Sequence, residues 1–172
     1  MASEEAHKTK REDALISLYE ECYGQVSRYI FVRIGNQHEA EDLASEVFLR
    51  ALKSLDSYQE RGLPMKAWIF RIARNLVVDY LRKMSQKHMV PLDDVILHGS
   101  IDPEEMAEQN LQTDRLSEAL EHLSPAQREV IGLRFFAGLS SIESGEVLGK
   151  KPGAIREMQS AAIKSLRTIL DG

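Results

Sequence analysis

A chain of 172 residues has room for one ordinary domain or two small ones, which excludes a large multi-domain assembly. Its 22 Lys plus Arg against 27 Asp plus Glu give a formal net charge of −5, which argues against a uniform basic coat for nucleic acid or membrane. That average conceals a segregation: residues 1–60 carry −5, residues 61–88 carry +6, residues 89–123 carry −8 and residues 124–172 carry +2. Cys22 is the single cysteine and makes no internal disulfide, and the five histidines show no metal-ligand spacing with it, so no metal site is expected. A reducing cytoplasm is the simplest setting. The first residues hold no apolar signal-peptide core, and the most apolar stretch, around Trp68 to Val78, is interrupted by Arg71 and Arg74.

Apolar residues recur at three- and four-residue steps and no segment alternates as a strand does, so the expected fold is all-α. A first helix is expected from about Glu12 to Ile34, with Leu15, Leu18, Cys22, Val26, Tyr29 and Ile30 inward and Gly35 ending it in the left-handed conformation. A second runs from about His38 to Leu55 and buries Leu43, Ala44, Val47, Phe48, Ala51 and Leu52. After a turn-prone segment, 56–64, a third runs from about Met65 to Lys83 on a stripe of Trp68, Ile69, Ile72, Ala73, Leu76, Val77, Tyr80 and Leu81.

Residues 85–112 lose the periodicity and gather Pro91, Gly99 and Pro103 among acidic residues, which reads as a flexible acidic linker. The second module begins near Thr113 and holds four shorter helices. Ser124-Pro125-Ala126-Gln127 is a helix start with a cap, a first-turn proline and a capping box; that helix ends near Phe136. Ser140 to Leu148, the turn at Gly149, and Pro152 to Leu170 complete the module. The domain boundaries expected are thus 1–84, 85–112 and 113–172: two small helical bundles on a tether.

The last two helices fit a helix-turn-helix, whose second helix can enter a DNA major groove. Ile155, Met158, Ala162, Leu166 and Ile169 would anchor it, leaving Arg156, Gln159, Ser160 and Lys164 outward and Lys150 and Lys151 at the turn to meet phosphates. An ordinary helical hairpin fits the same pattern. On the third helix Arg71, Asn75 and Arg82 share one strip with Arg74 beside it. Such a face can neutralise phosphates while Asn75 reads a base edge, or it can be a solvated basic face. Asp42, Glu46, Arg50 and Lys53 step along the outer side of the second helix, either as internal salt bridges or as a docking surface. The acidic tract from Asp93 to Glu108 is either a solubilising tether or a guest for a basic channel. No phosphate-cradling glycine loop and no nucleophile with a recognisable base occur, so no catalytic residue and no cofactor are expected. Cys22 lies on an apolar face and reads as core.

Two long stretches carry a resemblance. Glu39 to Leu52 together with Ala67 to Lys83 resembles region two of bacterial sigma factors of the extracytoplasmic-function (ECF) group. Leu120 to Ser140 resembles the opening of region four, with its helix-turn-helix following. The resemblance implies that Asp42, Glu46 and Arg50 bind the clamp coiled coil of core RNA polymerase. It implies that the loop at about 54–66 and Arg71, Arg74, Asn75 and Arg82 recognise and open the minus-ten promoter element, with Tyr58 and Trp68 as candidate stacking platforms. Lys150, Lys151, Arg156, Gln159 and Ser160 would read the minus-thirty-five element. Met158 and Ala161 stand where the family often has further arginines, and Glu157 disfavours nearby phosphate, so contact at that element is expected to be weak or unusual. Ser45 stands where a glutamine is common. The linker would thread toward the polymerase channels, its −8 block imitating nucleic acid. An anti-sigma factor is implied as a further partner. A free-standing helix-turn-helix regulator and a protein-binding decoy are the other readings weighed.

Overall fold

The computed structural model describes residues 1–58, 63–88 and 111–172. Seven α-helices occur among them: α1 Ala2–Ile34, α2 Gln37–Lys53, α3 Met65–His88, α4 Leu111–Glu121, α5 Pro125–Ile131, α6 Ser141–Leu148 and α7 Pro152–Asp171. A 3-10 turn, Leu55–Ser57, follows α2, and a π turn, Gly132–Phe136, extends α5. No strand is present among the described residues, as the all-α expectation requires.

Helix α1 starts ten residues before the apolar periodicity does. Most residues of its first turns are Ala, Glu, Lys and Arg, which favour helix without needing a buried face, and Glu4 and Glu5 complement the positive end of the helix dipole. At the other end Gly35 adopts φ 77°, and its N–H donates to the Phe31 carbonyl at 2.7 Å. Asn36 then caps α2, its side chain accepting from the Glu39 N–H at 3.0 Å. This two-residue corner folds α2 back against α1.

Alanines at 40, 44, 51, 67 and 73 are fully buried where α1, α2 and α3 meet; small side chains let the helices approach closely. Tyr29 and Phe70 fill the centre edge to face, with ring centroids 5.8 Å apart. Leu15, Cys22, Val26 and Ile30 are buried as expected, and burial raises the Cys22 thiol above its ordinary pKa. Leu52 departs from expectation at 54% exposure. On a wheel of about 100° per residue it lies about 40° beyond Phe48, at the edge of the apolar stripe, and nothing packs over it.

Helix α3 continues to His88, so the first residues assigned to the linker are helical, and α4 begins at Leu111, before the expected Thr113. The acidic tract at 93–108 lies outside the described residues. In the second module Ser124 and Gln127 form the capping box read from the sequence, and Ser140 with Glu143 forms another. Leu120, Leu123, Ile131 and Ala162 make a small core with Phe136, Ile163, Leu166 and Ile169 packed against it.

The modules do not stand apart. Leu133, Ala137, Leu139 and Val147 of the second belong to the same buried apolar cluster as Tyr29, Ile30 and Phe70 of the first. The π turn lies at this seam, where a Cβ built on Gly132 would stand only 3.0 and 3.2 Å from Tyr29 ring carbons. The bare backbone is what lets the second module come this close.

Candidate nucleic-acid interface

The helix-turn-helix is set by two glycines. Gly149 ends α6 with φ 67°, a left-handed conformation that favours glycine. Gly145 faces the Lys150 carbonyl oxygen so closely that a Cβ would collide with it, so α6 can turn into α7 only here. Lys151 caps α7 with extended backbone and Pro152 occupies the first turn. Ile155 and Ala162 are buried, and Met158, Leu166 and Ile169 are half-buried, matching the anchoring stripe read from the sequence.

Lys150, Lys151, Arg156, Ser160 and Lys164 are exposed around the start and outer face of α7. Gln159 differs from the outward position expected of it. It is half-buried, and its side-chain oxygen accepts from Arg134 Nε at 2.8 Å, while Arg134 Nη1 donates to the Leu139 carbonyl. Arg134 therefore holds Gln159 against the body of the module.

On α3, Arg71, Asn75 and Arg82 are exposed and Arg74 is half-buried, as the strip predicts. Arg82 pairs loosely with Asp79 at 3.8 Å. The other two arginines reach into the second module: Arg71 Nη2 donates to the Glu146 carbonyl at 2.6 Å, and Arg74 Nε lies 3.5 Å from Glu129 Oε1. Tyr58 is buried rather than exposed; its hydroxyl donates to the Leu63 carbonyl at 2.9 Å and its ring packs on Trp68 at 4.9 Å. It supports the Trp68 ring instead of offering a free face to a base.

On α2, Asp42 and Arg50 are exposed, Glu46 is half-buried, and Arg50 Nε donates to Glu46 Oε1 at 3.1 Å. Beside them Leu49 is 52% exposed, and Ile16 and Tyr19 of α1 are exposed as well. Sequence reading missed these apolar members, although Leu49 lies about 20° from Asp42 on the wheel, inside the polar face. An apolar residue flanked by a polar stripe is the signal that could have found them.

The sequence reading also missed a buried charge cluster. Glu129 accepts from the Tyr29 hydroxyl through Oε1 and lies 2.8 Å from Arg33 Nε through Oε2. Arg33, Arg128 and Glu129 are all buried. Burial pushes the Tyr29 phenol well above its ordinary pKa, with the Glu129 charge adding to it. Burial lowers Arg128, and the Arg33 charge lowers it further, with Glu121 opposing. Arg33 falls four residues after Tyr29, and Glu129 four before Leu133, so both charges sit on apolar stripes where a close reading could have marked them.

Among the described residues no group of three His, Cys, Asp or Glu could hold a metal ion, and no helix is long and apolar enough to cross a membrane.

A helical bundle with an arginine face, joined to a module carrying a helix-turn-helix, defines a two-module DNA-binding protein. Two family models match in chain order: sigma-70 region 2 over residues 18–87 and sigma-70 region 4 over residues 119–168. The ECF RNA polymerase sigma factor BldN of Streptomyces coelicolor is 36% identical over 160 residues, a match covering 92% of this chain and 61% of BldN. The ECF RNA polymerase sigma factor SigD of Mycobacterium tuberculosis is 33% identical over 161 residues, covering 90% of this chain and 76% of SigD. The chain belongs to the ECF RNA polymerase sigma factors. Among solved structures it is similar to the sigma factor RpoE crystallised with the anti-sigma factor NepR from Bartonella quintana, with a TM-score of 0.72, 26% identity, and coverage of 90% of this chain and 95% of that one. CnrH, solved with the cytosolic domain of CnrY, shares the fold at TM-score 0.72 and 21% identity, covering 95% of this chain and 94% of that one. These relationships favour the sigma-factor reading over the free-standing regulator.

Proposed function

We propose that the protein is an alternative sigma factor that binds core RNA polymerase and directs promoter-specific initiation, itself performing no catalysis and acting in the cytoplasm. The observation that carries this is the joint presence, in family order, of an arginine and asparagine strip on α3 and a helix-turn-helix whose outer face holds lysine and arginine. Asp42, Glu46 and Arg50 form the polar part of the polymerase-docking face. Leu49 and Leu52 supply exposed apolar area beside it, the kind of surface whose burial drives protein association.

Arg71, Arg74, Asn75 and Arg82 act on the minus-ten element. Arginine neutralises phosphate, and an asparagine amide offers donors and an acceptor to an unstacked base. Lys150, Lys151, Arg156 and Ser160 meet the minus-thirty-five element, with Gln159 held by Arg134 at the margin of that surface. An anti-sigma factor is the expected protein partner, in line with the similarity to RpoE, which is solved with one.

Transcription reconstituted from core polymerase, this protein and genomic promoter fragments tests the reading. Defined start sites sharing two upstream elements are expected. Absence of stimulation together with absence of binding to core would refute it.

A further inference from the structure

The charge cluster between the modules shares Arg74 with the minus-ten surface just described. Glu129 of α5 is buried against the guanidiniums of Arg33 and Arg74, with Tyr29 donating to it from α1. The contacts to Arg33 and Arg74 are ion pairs without aligned hydrogen bonds, and the buried Arg128 Nε has no hydrogen-bond partner. One carboxylate shared by two guanidiniums leaves positive charge at the seam uncompensated, which opposes docking. Apolar contact favours it: Leu133 and Leu139 are fully buried, and opening would return them to water.

The seam uses the residues that the function proposed above assigns to DNA. The Glu129 carboxylate takes the place at Arg74 that a phosphate would occupy, and the Glu146 carbonyl takes a donor of Arg71. Nucleic acid and the second module therefore compete for the same guanidiniums on α3. We propose that the second module is the chain's own inhibitor, docked on the minus-ten face with Glu129 as the anionic plug, and that DNA gains Arg71 and Arg74 only when the modules part. The proposal rests on the sigma-factor reading for the identity of the competing ligand.

Glu129→Gln keeps the side chain's size and removes the charge that Arg33 and Arg74 face. Gly132→Val acts by a different route, wedging against the Tyr29 ring while every charged side chain is retained. Removing one partner of a buried pair shifts such an equilibrium by roughly 100-fold. The apparent affinity for a ligand of the open form rises with the open fraction until that form dominates. Three readouts on the full chain decide: radius of gyration by small-angle X-ray scattering, affinity for a fluorescein-labelled single-stranded oligodeoxynucleotide, and transcription with core polymerase. Both variants are expected to expand and to bind the oligonucleotide at least about tenfold more tightly, and adding Arg71→Ala is expected to remove most of that gain.

Helical variants with unchanged radius and unchanged affinity would overturn the proposal. If wild-type chain fails to stimulate core while both variants still open and gain affinity, the sigma-factor reading falls and the internal plug stands. If wild-type chain stimulates core and the variants behave as wild type, the reverse holds. A measurement on the wild-type chain decides should the variants not fold: saturating oligonucleotide must increase the radius of gyration, and a complex as compact as the free chain refutes competition.

Discussion

Tyr29→Phe removes a single hydroxyl from the centre of the molecule and tests whether the modules are joined as described. The ring remains edge to face against Phe70 and close to Gly132, so no cavity of note forms. What is lost is one hydrogen bond to the buried Glu129 carboxylate, and bonds to charged groups are worth about 1.5–3 kcal/mol. Taking about 2 kcal/mol and a urea dependence of about 2 kcal/mol/M, the unfolding midpoint is expected to fall by roughly 1 M. The same residue gives an alkaline signature. Burial and the Glu129 charge hold the phenol well above its ordinary value of 10.0, so the folded chain keeps a proton that the unfolded chain releases above about pH 10. This contribution is fully present below that pH and is lost as the pH rises beyond it. Urea titrations followed by circular dichroism at pH 7 and across pH 9–11 should show the lower midpoint, and a flatter alkaline decline in Tyr29→Phe than in the wild type. Equal midpoints and equal alkaline slopes would show that the hydroxyl is not held by Glu129 and would remove the basis for a docked seam.

Three further outcomes are expected. Arg71→Ala combined with Asn75→Ala should abolish promoter-dependent transcription while costing only about 1 kcal/mol of stability, the worth of the one hydrogen bond from Arg71 to the Glu146 carbonyl; run-off transcription and thermal melting read the two effects. Leu49→Asp should weaken binding to core polymerase by about tenfold or more without loss of stability, as measured by fluorescence anisotropy, since the change places a charge in an exposed apolar patch. Ser140→Ala should cost about 1 kcal/mol by removing the side chain that accepts the Glu143 N–H at 3.0 Å, visible as a lower melting temperature.

The legible part of the site consisted of exposed side chains on regular helices. Arg71, Asn75 and Arg82 fall on one strip by a 100° step alone, and Lys150, Lys151 and Arg156 flank a turn that Gly149 announces. The residues that misled were those whose environment is set by another element. Leu52 sits at a stripe edge where only the neighbouring helix could have covered it, Tyr58 turns inward onto Trp68, and Gln159 is taken by Arg134 from α5's π turn.

Local periodicity, caps and glycines were enough to determine the all-helical fold, the helix end at Gly35, and the pair of helices around Gly149 that fits a helix-turn-helix or an ordinary hairpin, because these depend on interactions within a few residues of the chain. The divided charge pointed correctly to an arginine face on α3. How the two modules meet was decided by tertiary structure, since Tyr29 and Glu129 are separated by 100 residues and neither carries a local sign of the other. Pairing buried charges at that distance depends on which apolar surfaces come together, here Leu133 and Leu139 against Tyr29 and Phe70. Part of the +6 block is thereby matched within the chain itself, at Glu129, before any nucleic acid arrives.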